Sequence, residues 1–166
     1  VSSLETRSRN GLAAREQVCK DRTTVDTGGT IADGGTIVTP ELNNGGLVMP
    51  MGSDPRSPGT LAVDGNYEQG RSGVVGIGVA GPQCPQSDKL VITGNAKLNG
   101  TLVLTSLNNF HPSSGDTYTI LTATRGVTGI FTNVVDTLNT TGLTRVDVYP
   151  PKTALSWPTY LRVTAC

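Results

Sequence analysis

Thirteen side chains of the 166-residue chain are Asp or Glu, and a pair of them across a cleft would be the simplest route to chemistry. Glycosidic bond cleavage needs two carboxyl groups facing each other, one as acid and the other as base or nucleophile. The candidates from Asp26 onward are Asp26, Asp33, Glu41, Asp54, Asp64, Glu68, Asp88, Asp116, Asp136 and Asp147. Most stand beside glycine or proline, where an aspartate hydrogen-bonds its own backbone and makes a turn. Asp64 and Glu68 are the best-spaced pair, and no second motif supports them. His111 is the only histidine, and a His followed by Pro beside Phe110 reads as a loop packing residue rather than a base.

Other chemistries find less support. Zinc needs several His or Cys ligands at short spacing, and one His with scattered cysteines does not supply them. The Gly-Gly turns after Asp26 and Asp33 carry no regular calcium-binding repeat. Gly28-Gly29-Thr30 and Gly34-Gly35-Thr36 lack the lysine of a phosphate loop. The sequence therefore assigns no catalytic residue, no cofactor and no metal. Aromatic residues are 4% of the chain, too few for a row of rings along a sugar chain. Tyr67, Trp157 and Tyr160 could form one small platform, with Tyr67 the candidate glycan contact and Asn43, Asn44, Asn108 and Asn109 as amide partners.

Cysteine and asparagine supply clues to compartment. Cys19, Cys84 and Cys166 make an odd set, so one intrachain pair would leave a thiol for another chain. Asn99-Gly100-Thr101 and Asn139-Thr140-Thr141 have the spacing of N-glycosylation acceptors, placing candidate glycans on Asn99 and Asn139. Charged residues are 16% of the total, against about 25% in ordinary domains, and hydroxyl and amide side chains take their place. That composition suits a secreted or cell-surface protein. Thirteen basic residues balance thirteen acidic ones. The densest basic group, Arg7 to Arg22, is interrupted by Glu5, Glu16 and Asp21, so nucleic acid is a poor partner. No apolar run reaches the length of a membrane-spanning helix.

The elements that would position any site are short strands. GTLVLT at Gly100 to Thr105 has relatives in GTIV, GTLAV, GVVGIGV and KLVIT, each with alternating or nearly alternating apolar residues. Side chains alternate across a strand, so Leu61 with Val63, or Leu102 with Leu104, can share one interior. Lys89 to Thr93, Ala96 to Leu98 and Thr101 to Thr105 read as three such strands, broken at Gly94 and Gly100. The predicted core is Leu61, Val63, Leu90, Ile92, Leu98, Leu102, Leu104 and Ile120. Leu47, Leu61, Val75 and Leu90 are spaced by 14, 14 and 15 residues, a repeat shorter than a full three-sided layer. Residues Leu12 to Val18 have fair helix propensity and predict a short helix in an N-terminal arm or capping segment, residues 1–22. Residues 23–134 form the stacked core with its cap, and 135–166 a β-rich tail packed on that cap, with Trp157 and Pro158 covering its open end.

The run Gly59 to Val134 resembles the end region of secreted right-handed β-helix proteins of the autotransporter-passenger and pectin-lyase-like kind. The matching pieces, in order, are GTLAVDGNYEQ, SDKLVITGNAKLNGTLVLT, Phe110-His111-Pro112, GDTYTILTA and GVTGIFTNV. The resemblance implies an all-β chain, a right-handed parallel β-helix (β-solenoid) segment with a C-terminal β-rich cap. It implies a structural module of a fibre, sheath or appendage, whose partners are other chains, copies of itself or another fragment of one precursor. The alternatives are a carbohydrate-binding or adhesive module on cell-surface glycan, and a divergent polysaccharide lyase or hydrolase. The arginine and aspartate pattern of pectate-lyase sites is missing, which weighs against the enzyme.

Overall fold

The structure, a computed structural model, describes residues 2–3, 15–82, 86–113, 116–138, 145–149 and 159–164. All its regular elements are strands. In chain order they are β1 (Ser2–Ser3), β2 (Arg15–Val18), β3 (Thr23–Val25), β4 (Thr30–Ala32), β5 (Gly35–Asn44) and β6 (Leu47–Met49). There follow β7 (Thr60–Gln69), β8 (Val74–Val79), β9 (Lys89–Ile92), β10 (Asn95–Leu98) and β11 (Thr101–Ser106). The last five are β12 (Thr117–Ala123), β13 (Gly126–Gly129), β14 (Asn133–Thr137), β15 (Arg145–Tyr149) and β16 (Thr159–Thr164).

Two sheets result, of eleven and five strands. Pairing is parallel through β14, and the partners lie one pass of the chain apart. Gly35 pairs with Leu61, Leu61 with Leu90, and Leu90 with Leu121, steps of 26, 29 and 31 residues. In the five-stranded sheet, β4, β6, β8, β11 and β14 lie side by side. There Leu47 pairs with Val74, Val74 with Thr101, and Thr101 with Asn133. The 14-residue spacing of Leu47, Leu61, Val75 and Leu90 is thus half a pass. It alternates between the small sheet and the large one.

Glycine and proline mark where a strand changes direction. Pro40 lies inside β5 at a register shift between Val38 and Glu41, the irregular position at which a strand accommodates proline. At the same corner of β7, Gly65 has φ 149°, and a Cβ there would lie 1.7 Å from the Thr39 carbonyl oxygen. Only glycine fits that approach. Later passes divide where β5 and β7 bend, giving β9 with β10 and β12 with β13.

Apolar side chains stack from pass to pass in register. Leu61, Leu90 and Leu121 form one column, and Val63, Ile92 and Ala123 another. Leu42, Tyr67 and Ala96 make a third, and Val75 and Leu102 lie side by side in the small sheet. Leu61, Val63, Leu90, Ile92, Leu98, Leu102, Leu104 and Ile120 are all buried in a single core. Hydroxyls reinforce the last pass: Thr124, Thr128, Thr132 and Thr137 donate to the carbonyls of Ile92, Ala96, Gly100 and Leu104.

The ends differ from the sequence reading in one respect. Arg15–Val18 is a strand paired in parallel with Gly35–Val38, not part of a helix. Backbone pairing with an existing sheet outweighs the modest helix propensity of four residues. At the other end β16 runs antiparallel to β12, and β15 antiparallel to β16. Strand pairing therefore crosses both expected boundaries, near residues 22 and 135. Trp157 and Pro158 lie outside the described residues.

Candidate functional site

The long connections of the passes leave from one side. Met49 to Thr60, Val79 to Lys89 and Ser106 to Thr117 each join the small sheet to the start of a large-sheet strand. The other links, such as Asn44 to Leu47, Gln69 to Val74 and Leu98 to Thr101, are short. In stacked repeats, insertions map to loops on one face, which is often the binding face. This loop side is the candidate site.

Its loops are tied to each other and to themselves. Asn108 Nδ2 donates to the Arg56 carbonyl at 3.0 Å, bridging two loops far apart in sequence. Asp54 Oδ1 accepts the Arg56 N–H at 2.9 Å, so this aspartate shapes its own turn. The Ser106 hydroxyl donates to the Phe110 carbonyl. Asn108 and Asn109 both have φ 55°, a left-handed conformation that asparagine tolerates better than most residues. Both are exposed. Two consecutive residues in that region mark a locally constrained turn, a kind of feature that clusters at functional sites. Nδ1 of His111 lies 3.4 Å from the Leu138 carbonyl oxygen, and the ring serves as a loop tie.

Asp88 holds the base of this side together. The residue is 5% exposed, and its two carboxylate oxygens accept the Gly59 and Gly78 N–H groups, each at 2.7 Å. It thus connects the end of one loop, the central strand of the small sheet and the start of β9. Burial pushes its carboxyl up to about 6, opposed by the bonds from Gly59 and Gly78. A free aspartate releases its proton near pH 3.9, roughly two units lower. Between about pH 4 and 6 the folded chain therefore binds more protons than the unfolded one, and lowering the pH through that window stabilises it. The thermal midpoint of the wild type is expected to rise over that interval more than that of Asp88→Asn. Equal slopes for the two proteins would refute this assignment. Sequence reading named Asp88 only among the candidate carboxylates, and its partners lie 10 and 29 residues away, where no local signal reaches.

No protein-family model and no curated protein matches this chain.

The remaining candidates separate by place. Asp64 and Glu68 both lie on β7, and each is bonded to a different residue of the next pass. Asp64 accepts the Thr93 hydroxyl at 2.8 Å, and Glu68 pairs with Lys97 at 2.8 Å. Asn43 is half-buried on the outside, donating to Glu41, which also pairs with Arg22. Tyr67 and Asn44 are each 1% exposed, so neither contacts a glycan on the surface. The ring of Tyr67 belongs to the core, and its hydroxyl to a closed polar network. Its alternation with Leu61, Val63 and Gln69 was the signal for that inward position. Tyr160 is on β16, and its side chain, like Trp157, lies outside what is described.

Asn99 is half-buried and accepts the Gly100 N–H, whereas Asn139 lies outside the described residues. Cys19 is a free, half-buried thiol, and its N–H donates to the Val38 carbonyl. Cys84 and Cys166 lie outside the described residues. Among the described residues no cluster of three His, Cys, Asp or Glu is placed to hold a metal ion. No helix there is long and apolar enough to cross a membrane.

Proposed function

We propose that the chain is a right-handed parallel β-helix segment with a C-terminal β-rich cap. On this reading it is a structural module, not an enzyme, secreted or at the cell surface, in the assembly of a fibre, sheath or appendage. The carrying observation is the repeated in-register parallel pairing of each pass with the next. Such a stack is held by backbone ladders and apolar columns and requires no cofactor. Large apolar side chains that remain exposed support the same reading. Val18, Ile130, Val134 and Val135 all lie in or beside strands at the two ends of the stack, β2, β13 and β14. An exposed apolar strand edge is a template for another chain. The acidic residues support it further, since Asp64, Glu68 and Asp88 each have a structural partner.

Native mass analysis of the purified chain, with and without reductant, tests this. Assemblies larger than the 17.2 kDa chain are expected, persisting in high salt because backbone and apolar contacts are weakly screened. Loss of part of the mass on reduction would assign Cys19, Cys84 or Cys166 to interchain bonds. A single-chain mass under every condition would defeat the proposal.

The loop side favours a second reading, binding of a neutral cell-surface glycan through exposed amides. Asn108→Ala with Asn109→Gly is then expected to abolish binding on a glycan array while leaving the fold intact. A wild type that binds no glycan would remove this reading and leave the assembly reading standing.

A further inference from the structure

Asparagine followed by glycine is chemically among the least durable pairs in a chain, because no side chain on the glycine shields its nitrogen from the neighbouring carboxamide. The sequence holds three such pairs, Asn10–Gly11, Asn44–Gly45 and Asn99–Gly100. Asn10 lies outside the described residues, and the structure treats the other two in opposite ways. At Asn44 every reacting group is engaged elsewhere. The Gly45 N–H donates to the Val25 carbonyl at 2.7 Å, and Asn44 Oδ1 accepts from the Gly46 N–H. Asn44 Nδ2 donates to the Tyr67 hydroxyl and the Val74 carbonyl, and the residue is 1% exposed.

At Asn99 the same groups face each other. The Gly100 N–H donates to Asn99 Oδ1 at 2.8 Å, so the nitrogen already touches the carboxamide beside it. Asn99 is only half-buried, within reach of water. The fold also fixes the glycine. Gly100 has φ 62°, and a Cβ there would lie 2.3 Å from the Gly73 carbonyl oxygen. No bulkier residue can take that place and shield the nitrogen. Groups held in contact react as though highly concentrated, and the corner between β10 and β11 holds this pair so.

We infer that Asn99 is a site of spontaneous deamidation, singled out over Asn44 by the fold. The Gly100 nitrogen gives its proton to solvent and bonds to Asn99 Cγ. The Cγ–Nδ2 bond breaks, and ammonia leaves with a proton taken from water. Water then opens the five-membered imide. Breaking the new bond gives aspartate, whereas breaking the bond to the main-chain carbonyl gives isoaspartate, with a backbone one carbon longer. No oxidant or cofactor takes part. Either product puts a negative charge at the corner. Isoaspartate also displaces Gly100, whose carbonyl accepts the Thr132 and Asn133 N–H groups at 2.8 and 3.1 Å and the Thr132 hydroxyl at 2.9 Å. Those bonds hold the entrance to β14, so conversion loosens the last strand of the small sheet. A glycan on Asn99 would occupy the same nitrogen, so the unglycosylated chain is the reactive one. The inference is independent of the assembly and glycan readings.

Peptide mapping by mass of the full unglycosylated chain, kept folded in mildly alkaline buffer, tests it. A parallel sample in denaturant gives the rates without the fold. In the folded chain Asn99 is expected to convert at least tenfold faster than Asn44, and in denaturant the two are expected to convert at similar rates. Asn99→Gln, whose extra methylene disfavours ring closure, is expected to keep its thermal midpoint through the incubation while that of the wild type falls. Asn44 converting as fast as Asn99 in the folded chain would overturn the assignment. So would an Asn99 that stays intact in the folded chain while the denatured sample converts. A wild-type midpoint unchanged after full conversion at Asn99 would overturn the loosening of β14.

Discussion

Leu102→Ala is expected to lower the unfolding free energy by about 2–5 kcal/mol, the range for truncating a fully buried leucine. Leu102 has no exposed surface and sits in register between Val75 and Val134. Two contributions add at such a site: the lost transfer of the deleted carbons and the cavity they leave. The cavity term should be near its upper end, because stacked strands about 4.8 Å apart cannot close inward without breaking their ladders. Val134→Ala provides the control from the same column. That side chain is 38% exposed at the edge of the sheet, and its truncation should cost a small fraction as much. Urea unfolding of both variants would check the pair. Equal and small losses would mean that Leu102 is not enclosed, and the stacked interior would fall with it.

Much of this interior was legible because parity survives the corners. Leu90, Ile92, Ala96, Leu98, Leu102 and Leu104 are even-numbered and buried through β9, β10 and β11. The breaks at Thr93–Gly94 and Asn99–Gly100 are each two residues long, so the inward phase passes through them unchanged. The length of a pass was not legible. Every strand carries the same apolar alternation, so the pattern repeats per strand, and nothing in it identifies which strands are neighbours. β2 was missed for a related reason. REQV has no strand signature of its own and becomes a strand by pairing with β5. The loop side was visible only as separate Pro-marked stretches. That Asn108 meets Arg56, or that Asp88 meets Gly59 and Gly78, depends on passes being laid together.

Tyr67→Ala is expected to be at least as damaging as Leu102→Ala, at about 3–5 kcal/mol if it behaves as a buried aromatic truncation. Its ring fills the column between Leu42 and Ala96, and the small Ala96 leaves the space that the ring occupies. The hydroxyl does separate work. It accepts from Asn44 Nδ2 at 3.1 Å and donates to Gln69 Oε1 at 2.7 Å. Asn44 also binds the Val74 carbonyl and the Gly46 N–H, while Gln69 donates to the Gly73 and Thr101 carbonyls. Three buried polar side chains thus tie three successive passes together at one corner. Tyr67→Phe keeps the ring and leaves Gln69 Oε1 without its donor, so it should cost about 1–3 kcal/mol, the penalty for a stranded buried group.

Burial also pushes the Tyr67 hydroxyl above the ordinary tyrosine range, against the lowering effect of Asn44. The unfolded chain releases this proton near pH 10, whereas the folded chain retains it. The stability that Tyr67 contributes is therefore complete below about pH 10 and declines as the pH rises beyond it. Denaturant unfolding at pH 7 and in alkali, compared between wild type and Tyr67→Phe, would separate ring from hydroxyl. The wild type should lose more stability on the alkaline side, converging on the variant. If Tyr67→Ala shifted stability by no more than about 0.5 kcal/mol, as an exposed side chain would, the ring would have to lie on the surface. The corner network and the column beneath it would then both be wrong.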